Sequence, residues 1–259
     1  MGLKLKTLTE TLVAITGGDL LPIVNGEPLK MWKSHLLIEG DILAFKGVRQ
    51  GCRAYLCLRG GLAVPRVMES KSTFLSGKFG GLEGRALKKG DRLRRTDLPS
   101  PFESIGVSFP SDWLPAFGKE IVVRVIPGPQ DHHFSALGLH TFESPFYQVT
   151  AKSDRMGIRL EGAKIERRSD AEESIISESL IPGSVQVPGD GKPMIILNEL
   201  ATGGYTKIAT VISTDLPKVA QLKPGDRIRF EPVFLECAHR LLREQEERIG
   251  RFKDSLRDR

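Results

Sequence analysis

Uncharged polar groups beside glycine and proline are the residues of this chain best suited to hold a carbonyl oxygen or an anion. Gln130 ends the rigid turn Pro127-Gly128-Pro129-Gln130, and Gln186 lies in a short run between Gly183 and Pro188. Thr202-Gly203-Gly204-Tyr205 adds two backbone amides without side-chain cover, and such amides can cradle an oxygen atom. The alternative for this last stretch is a tight β-turn with a packed tyrosine.

Two arginines, Arg155 and Arg159, stand on either side of Gly157. A guanidinium binds a carboxylate in a bidentate manner, so the pair is suited to grip a small anion. Structural ion pairs with Asp154 or Glu161 are the alternative.

Hydroxyl groups follow the Gly60-Gly61 turn at Ser70 and Thr73, with the cation of Lys71 between them. This spacing makes both hydroxyls candidates for substrate binding. A capped turn is the alternative, because a serine hydroxyl readily bonds to the backbone of its own loop.

Motifs for several other chemistries are missing from the sequence. The stretch from Ser76 to Gly81 resembles a phosphate-binding loop only superficially because no hydroxyl residue follows Lys78, so ATP is not expected to be held by that device. Asp131-His132-His133 is the only histidine cluster, and it lacks the rest of a metal site, so no metal is expected. No nucleophile elbow is present, and the sequence names no catalytic nucleophile.

The formal net charge of +6 raises the question of a nucleic-acid partner. Lysine and arginine are scattered among acidic residues, and no basic run is interleaved with aromatics, so we expect no nucleic-acid binding. No apolar segment reaches the length of a signal peptide or a membrane span, so we expect a cytoplasmic protein without a membrane partner. The 3 cysteines have no Cys-x-x-Cys spacing and fit reduced thiols.

Short strands punctuated by glycine and proline must position the candidate groups. A Gly-Asp turn that feeds a strand is predicted three times, at Gly40-Asp41, Gly90-Asp91 and Gly225-Asp226. Such strands are typical of barrels or sandwiches. The Gly-Asp motif recurs in both halves of the chain, which predicts two related β domains. The predicted boundary is the segment from Pro110 to Lys119, where prolines and a glycine precede a fresh strand.

Local signals predict further elements. Asn25-Gly26 is a strong hairpin signal after Ile23-Val24. The charged segment from Phe234 to Leu256 predicts a solvated helix that frays at Gly250. Two strands joined by a Gly-Asp-Gly turn are predicted at 185–187 and 194–197. Two short helices are predicted at 130–142 and 216–222.

A series of ordered phrases runs from about residue 8 to residue 233: Gly51-x-Arg53-Ala54-Tyr55-Leu56, Ser70-x-Ser72-Thr73, Pro127-Gly128-Pro129-Gln130, Asp154-Arg155-Met156-Gly157-x-Arg159, Ser177-Glu178, Gln186-Val187-Pro188 and Thr202-Gly203-Gly204-Tyr205. Together they resemble the biotin-dependent carboxyltransferase-like family. That family includes the C-type subunit of 5-oxoprolinase, allophanate hydrolase subunit 2, the Kip-inhibitor antagonist and the carboxyltransferase region of urea amidolyase.

The resemblance implies a mainly β fold with few short helices. It implies two cyclophilin-like β-barrel domains, which we expect at residues 1–115 and 116–235, and the charged helical tail predicted above follows at residues 236–259.

For free-standing members, the resemblance implies an assembly with two partner subunits of 5-oxoprolinase. The A-type subunit is a separate chain, and the B-type subunit is the Kip-inhibitor-like protein. This assembly opens 5-oxoproline, a small lactam, to glutamate and uses ATP at the level of the assembly. For the urea amidolyase branch it implies carboxyl transfer from carboxybiotin to urea, and biotin is a cofactor only there. The substrate-binding residues expected on this basis are Ser70, Thr73, Gln130, Arg155, Arg159, Gln186, Thr202, Gly203, Gly204 and Tyr205.

The chain also departs from the family pattern. Members usually carry a Gln-Asp-x-Gly-Arg segment before the first strands, and this sequence shows none there. The first domain is therefore expected to lack that segment and to have an open strand edge. Asn198, Leu200 and Ala201 replace an acid, an amide and a hydroxyl, and an amide does not titrate in place of an acid. Glu69 and Lys71 stand where glycine and arginine are more usual. These departures favour the alternative of a regulatory binding protein of the Kip-antagonist type without its own catalysis.

Overall fold

The computed structural model describes residues 2–96, 104–172, 174–197 and 202–257. The chain divides into two compact units, one formed by Met1–Gly47 with Ala54–Trp113 and the other by Val48–Arg53 with Leu114–Arg259. The domain limits drawn from the sequence stay predictions. Within the described residues, no helix is both long enough and apolar enough to cross a membrane.

The described residues of the first unit form two sheets. Its strands are β1 (Lys4–Lys6), β2 (Thr11–Asp19), β3 (Pro22–Val24), β4 (Glu27–Pro28), β5 (Ser34–Leu37), β6 (Ile42–Phe45) and the end of β7 (Gln50–Leu58). One sheet has the order β1-β6-β3-β4 and the other β5-β2-β7. Pairing in the described part of this unit leaves both sheets open at their ends. Val13, Ile15, Leu37 and Leu43 form its buried core.

The predicted hairpin at Asn25-Gly26 is confirmed, because β3 and β4 pair in antiparallel fashion around it. Both turn residues are left-handed, with φ of 52° and 98°, as a two-residue hairpin turn requires. The Asn25 side chain also accepts a hydrogen bond from Ile42 N at 2.9 Å, which ties the turn to β6.

Two of the three predicted Gly-Asp turns feed a strand, and one does not. Gly40-Asp41 precedes β6, and Gly225-Asp226 precedes the last strand of the second unit. The prediction for Gly90-Asp91 is wrong, because the residues after it form only a bridge between Leu62 and Arg95. The segment that follows Asp91 is rich in arginine and offers little apolar surface for a half-buried strand.

A closed barrel forms the second unit. Its strands are β8 (Glu120–Pro127), β9 (Tyr147–Val149), β10 (Gly157–Glu161), β11 (Ser174–Glu178), β12 (Ser184–Val187), β13 (Met194–Ile196), β14 (Gly203–Val211) and β15 (Arg227–Pro232). Seven of them close in the order β14-β12-β13-β10-β9-β15-β8 and back to β14, and β11 pairs with the start of β14. The pairing of β8 with β15 is parallel.

Alternating side chains fill the barrel. Val123 and Val125 of β8, Val185 and Val187 of β12, and Phe230 of β15 are all buried. Successive residues of a strand face opposite sides of the sheet, so the residues between them face outwards. The barrel therefore has an apolar interior, and its polar chemistry lies on the outer face.

In the described part of the chain, three α-helices accompany the strands: α1 (Ala136–Glu143), α2 (Leu216–Val219) and α3 (Leu235–Arg257). Ser135 caps α1 by accepting a hydrogen bond from Gly138 N at 3.0 Å. The predicted C-terminal helix is confirmed, but it continues through Gly250 without a break. The expected mainly β fold with few helices and a helical tail is thus confirmed.

Two expectations about side chains concern the cysteines and the histidine cluster. Cys52, Cys57 and Cys237 are free thiols, as expected. His132 and His133 lie in a one-turn 3-10 helix and not on a strand. Across the part of the chain that the structure describes, no group of three or more His, Cys, Asp or Glu side chains is arranged to hold a metal ion.

Candidate functional site

A row of four side chains crosses the outer face of the barrel. Gln186 lies between the inward-facing Val185 and Val187, so it faces outwards. Its cross-strand partners are Lys207 on one side and Met194 on the other, and Met194 in turn pairs with Arg159. Residues opposite each other in a sheet share a face, which places a lysine at one end of the row and an arginine at the other.

Lys207 is the chemically most unusual member of this row, because its ammonium is buried. Only 8% of its side chain is exposed, and its Nζ lies 2.5 Å from Glu178 Oε2 on β11. The Nε2 of Gln130 donates a second hydrogen bond to the same carboxylate oxygen at 3.1 Å. The hydrogen bonds from Lys207 and then Gln130 hold the pKa of Glu178 below its ordinary value.

The turn that ends in Gln130 is fixed against β14. Gln130 is buried, its Oε1 accepts from Lys207 N at 3.1 Å, and its own N donates to Lys207 O at 3.3 Å. A Cβ at Gly128 would collide with Lys207 O, so only glycine lets the turn lie this close to the strand. The Gln130 amide is thus held in place beside the lysine.

Gln186 approaches the other side of the start of β14. Its Nε2 donates to Tyr205 O at 3.4 Å. The same nitrogen lies 2.7 Å from where a Cβ of Gly203 would stand, so that glycine makes room for the amide. Gly204 gives similar room to β11, because its Cβ would lie 3.2 Å from Ile175 O.

The stretch Thr202–Tyr205, whose backbone amides are predicted to hold an oxygen atom, therefore leads into a strand. The alternative of a tight turn is wrong. Gly203 to Tyr205 pair with β11 at Glu178 and Ser174. The side chains of Thr202 and Tyr205 are exposed to solvent. Asn198, Leu200 and Ala201, the positions that depart from the family pattern, lie outside the described residues.

Both candidate arginines are exposed. Asp154 Oδ1 accepts from the backbone N atoms of Met156 and Gly157, and Glu161 pairs with Lys192 at 2.6 Å. The alternative that these two acids pair with Arg155 or Arg159 is therefore wrong. Arg159 belongs to the outer row, and Arg155 lies in the turn before β10.

The candidate hydroxyls belong to the first unit. Ser70 closes a two-residue turn with Val67 through reciprocal backbone hydrogen bonds of 2.9 and 3.0 Å. Its Oγ accepts from Ser72 N at 3.1 Å, which agrees with the capped-turn alternative. Thr73 packs against Gly81, where a Cβ would collide with Thr73 Oγ1.

Sequence reasoning missed Lys207 as a site residue and used Glu178 only as part of the resemblance. The available signal was a lysine inside the apolar strand that ends in Ile208-Ala209-Thr210-Val211. A lysine is almost never buried unless it is paired, so a lysine in such a run indicates an acidic partner from elsewhere in the chain. The identity of that partner depends on how β11 pairs with β14, which the sequence does not reveal.

Comparisons with known proteins agree with this architecture. The family described as "Carboxyltransferase domain, subdomain A and B" matches residues 1–232. The C-type subunit of 5-oxoprolinase from Escherichia coli is 38% identical over 213 residues, which are 80% of this chain and 64% of that protein. The Haemophilus influenzae protein of the same name is 31% identical over 246 residues, which are 95% of this chain and 77% of that protein.

A solved structure is similar over nearly the whole chain. The crystal structure of the K. lactis urea amidolyase has a TM-score of 0.87 and 33% identity, and the match covers 96% of this chain and 16% of that one. The chain therefore spans under two thirds of the Escherichia coli relative and a small part of the K. lactis enzyme.

Proposed function

The chain belongs to the family of carboxyltransferase domains with subdomains A and B, and on that premise we propose that it is one component of an ATP-dependent 5-oxoprolinase-type assembly. The assembly hydrolyses a small lactam, 5-oxoproline, to glutamate. The observation that carries this proposal is the similarity to two proteins named as C-type subunits of 5-oxoprolinase, at 38% and 31% identity.

In the proposed site, the outer face of the barrel binds the lactam. The backbone amides of Gly203 and Gly204 orient the lactam carbonyl, and Thr202 and Tyr205 border it from the start of β14. Gln130 and Gln186 position this strand through their hydrogen bonds to Lys207 and Tyr205.

Other residues complete the proposal. Arg159, with Arg155 beside its strand, faces solvent and is available to hold an anionic intermediate. Ser70 and Thr73 are the proposed substrate-binding residues of the first unit. The A-type and B-type subunits of 5-oxoprolinase are the proposed partners, ATP acts at the level of the assembly, and the proposed location is the cytoplasm.

The experiment is to add the purified chain to the A-type and B-type subunits and to measure ATP hydrolysis that depends on 5-oxoproline. We expect turnover to rise well above that of the two partners without this chain. No gain would contradict the catalytic proposal. Binding to the B-type partner without any gain would support the regulatory alternative of the Kip-antagonist type.

A second candidate function rests on the K. lactis structure, whose match covers 96% of this chain. In this alternative, the chain is the carboxyltransferase component of a biotin-dependent urea carboxylase. The same purified chain is then supplied with a carboxybiotin carrier protein and urea. Urea-dependent loss of carboxybiotin would favour this candidate over lactam hydrolysis.

A further inference from the structure

We propose that Lys207 and Gln130 form a binding site for the carboxylate of the substrate, and that Glu178 occupies this site as an internal carboxylate that the substrate displaces. The proposal rests on the proposed function, because it assigns a part of the substrate to the outer face of the barrel. It predicts a small carboxylic acid as the ligand.

The first argument is the geometry of the donors. Lys207 Nζ and Gln130 Nε2 converge on a single oxygen, Glu178 Oε2, at 2.5 and 3.1 Å. An ammonium and an amide N–H that point at one carboxylate oxygen make a site for any carboxylate of suitable size. In the structure, the carboxylate that fills it comes from the chain itself.

The second argument is that the donors are fixed and the acceptor is not. Lys207 lies in the barrel, and Gln130 is held to its backbone by two hydrogen bonds. Only 8% of the Lys207 side chain is exposed, whereas 47% of the Glu178 side chain is exposed. The carboxylate of Glu178 can therefore leave towards solvent while the donors stay in place.

The third argument is the strand that carries Glu178. β11 is not part of the closed ring, and it pairs with β14 at Ser174 and Glu178 with an irregular register between them. Ile176 at its centre is 91% exposed. A shift of β11 thus leaves the ring of seven strands closed.

The fourth argument concerns the ligand. A buried ammonium without a counter-ion is costly, so whatever displaces Glu178 must itself carry a negative charge. The exposed side chains of Thr202 and Tyr205 border the start of β14, where the rest of a small ligand would lie. 5-Oxoproline has a carboxylate beside its lactam, and 2-pyrrolidinone is the matched lactam without the carboxylate.

The test is isothermal titration of the full chain with 5-oxoproline and with 2-pyrrolidinone. Glu178→Gln removes the internal competitor but keeps a side chain of the same size, so we expect 5-oxoproline to bind roughly 3- to 10-fold more tightly than to the unmodified chain. Lys207→Gln is expected to weaken binding at least about 10-fold, and Lys207→Arg is expected to restore most of it. Binding of 2-pyrrolidinone is expected to be the same in all variants.

Glu161→Gln is the matched control, because it breaks another short Lys–Glu pair of the same unit, Lys192 with Glu161 at 2.6 Å. It is expected to bind 5-oxoproline as the unmodified chain does. Equal or weaker binding by Glu178→Gln, or no binding by either protein, would overturn the proposal. If Lys207→Gln fails to fold, the Glu178→Gln result decides alone.

The two proposals fail in different ways. Tighter binding by Glu178→Gln with no turnover in the assembly would reject the enzymatic function and keep the carboxylate site. Full turnover in the assembly with unchanged binding by Glu178→Gln would reject only the carboxylate site.

Discussion

Single residues of this chain are held in conformations that their side chains do not favour. The turn from Val67 to Ser70 has Met68 and Glu69 at its centre, with φ of 49° and 62°. Such two-residue turns strongly prefer glycine or asparagine, because the left-handed region costs other residues roughly 1–2 kcal/mol. The departure from the family pattern at Glu69 therefore has a physical cost.

Glu69→Gly should remove this cost. We expect the free energy of unfolding to rise by about 0.5–1 kcal/mol, after allowance for the greater freedom of glycine in the unfolded chain. Guanidinium denaturation measures the change. Glu69→Gln is the control, since it removes the ion pair with Arg66 but leaves the backbone strain, and an equal gain from both variants would contradict the argument.

Outside the site, Asp215 is a buried carboxylate that forms two ion pairs. Its side chain has 0% exposure, and it binds Arg124 at 2.6 Å and Lys218 at 2.8 Å. Burial raises the pKa of Asp215, but the hydrogen bonds from Arg124 and Lys218 outweigh it, so the pKa lies below its ordinary value.

This direction fixes how stability depends on pH. The folded state binds a proton at Asp215 less readily than the unfolded state, so the stabilisation is complete at neutral pH and is lost as the pH falls below about 4. Asp215→Asn should lower the stability at pH 7 by about 3 kcal/mol and flatten its fall in acid. Denaturation curves between pH 7 and pH 3 measure both effects.

The matched control for Asp215 is Asp170→Asn, which breaks the exposed pair of Arg168 with Asp170. An exposed pair contributes little, so this variant should follow the unmodified chain at every pH. Parallel pH curves for Asp215→Asn and the unmodified chain would refute the role of the buried pair.

At the scale of elements, α3 shows how propensity and context compete. Glycine inside a helix costs about 1 kcal/mol relative to alanine, which is the reason to predict fraying at Gly250. The helix nevertheless runs unbroken from Leu235 to Arg257, because good helix formers flank the glycine on both sides. One unfavourable residue is outweighed by the cooperativity of the others.

Gly250→Ala should stabilise α3 by about 0.5–1 kcal/mol, since nothing lies within 4 Å of the position of its Cβ. Helical circular dichroism during thermal unfolding measures the gain. Gly225→Ala is the control, because that glycine has equally open surroundings but a φ of 92°, so alanine is strained there. A gain at both positions would show that open space alone, and not the backbone angle, decides the effect.

Local elements were predictable where the signal and the contact lie close together in the sequence. The Asn25-Gly26 hairpin and the β12 and β13 pair around Gly191 are of this kind. The outer-face site was predictable only in part. Gln130 and Gln186 stand out beside glycine and proline, but the pair of Lys207 with Glu178 joins residues of two strands that are 29 positions apart.

At the scale of the whole molecule, barrel closure is the feature that local patterns do not encode. It requires β8 to lie beside β15, and Glu120 and Arg227 at their starts are 107 residues apart. The sequence alone predicted a barrel or a sandwich from the many short strands. Resemblance to a family then supplied the closed form, which the pairing of β14 with β8 confirms for the second unit.

The interleaving of the two units has a consequence for how the protein is made. Gln221 accepts hydrogen bonds from the N atoms of Cys52 and Arg53 at 2.9 Å each, and it donates to Arg53 O at 2.9 Å. Because 168 residues separate Arg53 from Gln221, the segment 48–53 must wait for most of the chain to leave the ribosome before its unit can fold around it. A fragment that begins at residue 116 would lack this segment altogether, so the second unit is contiguous in space but not separable by a single cut in the gene.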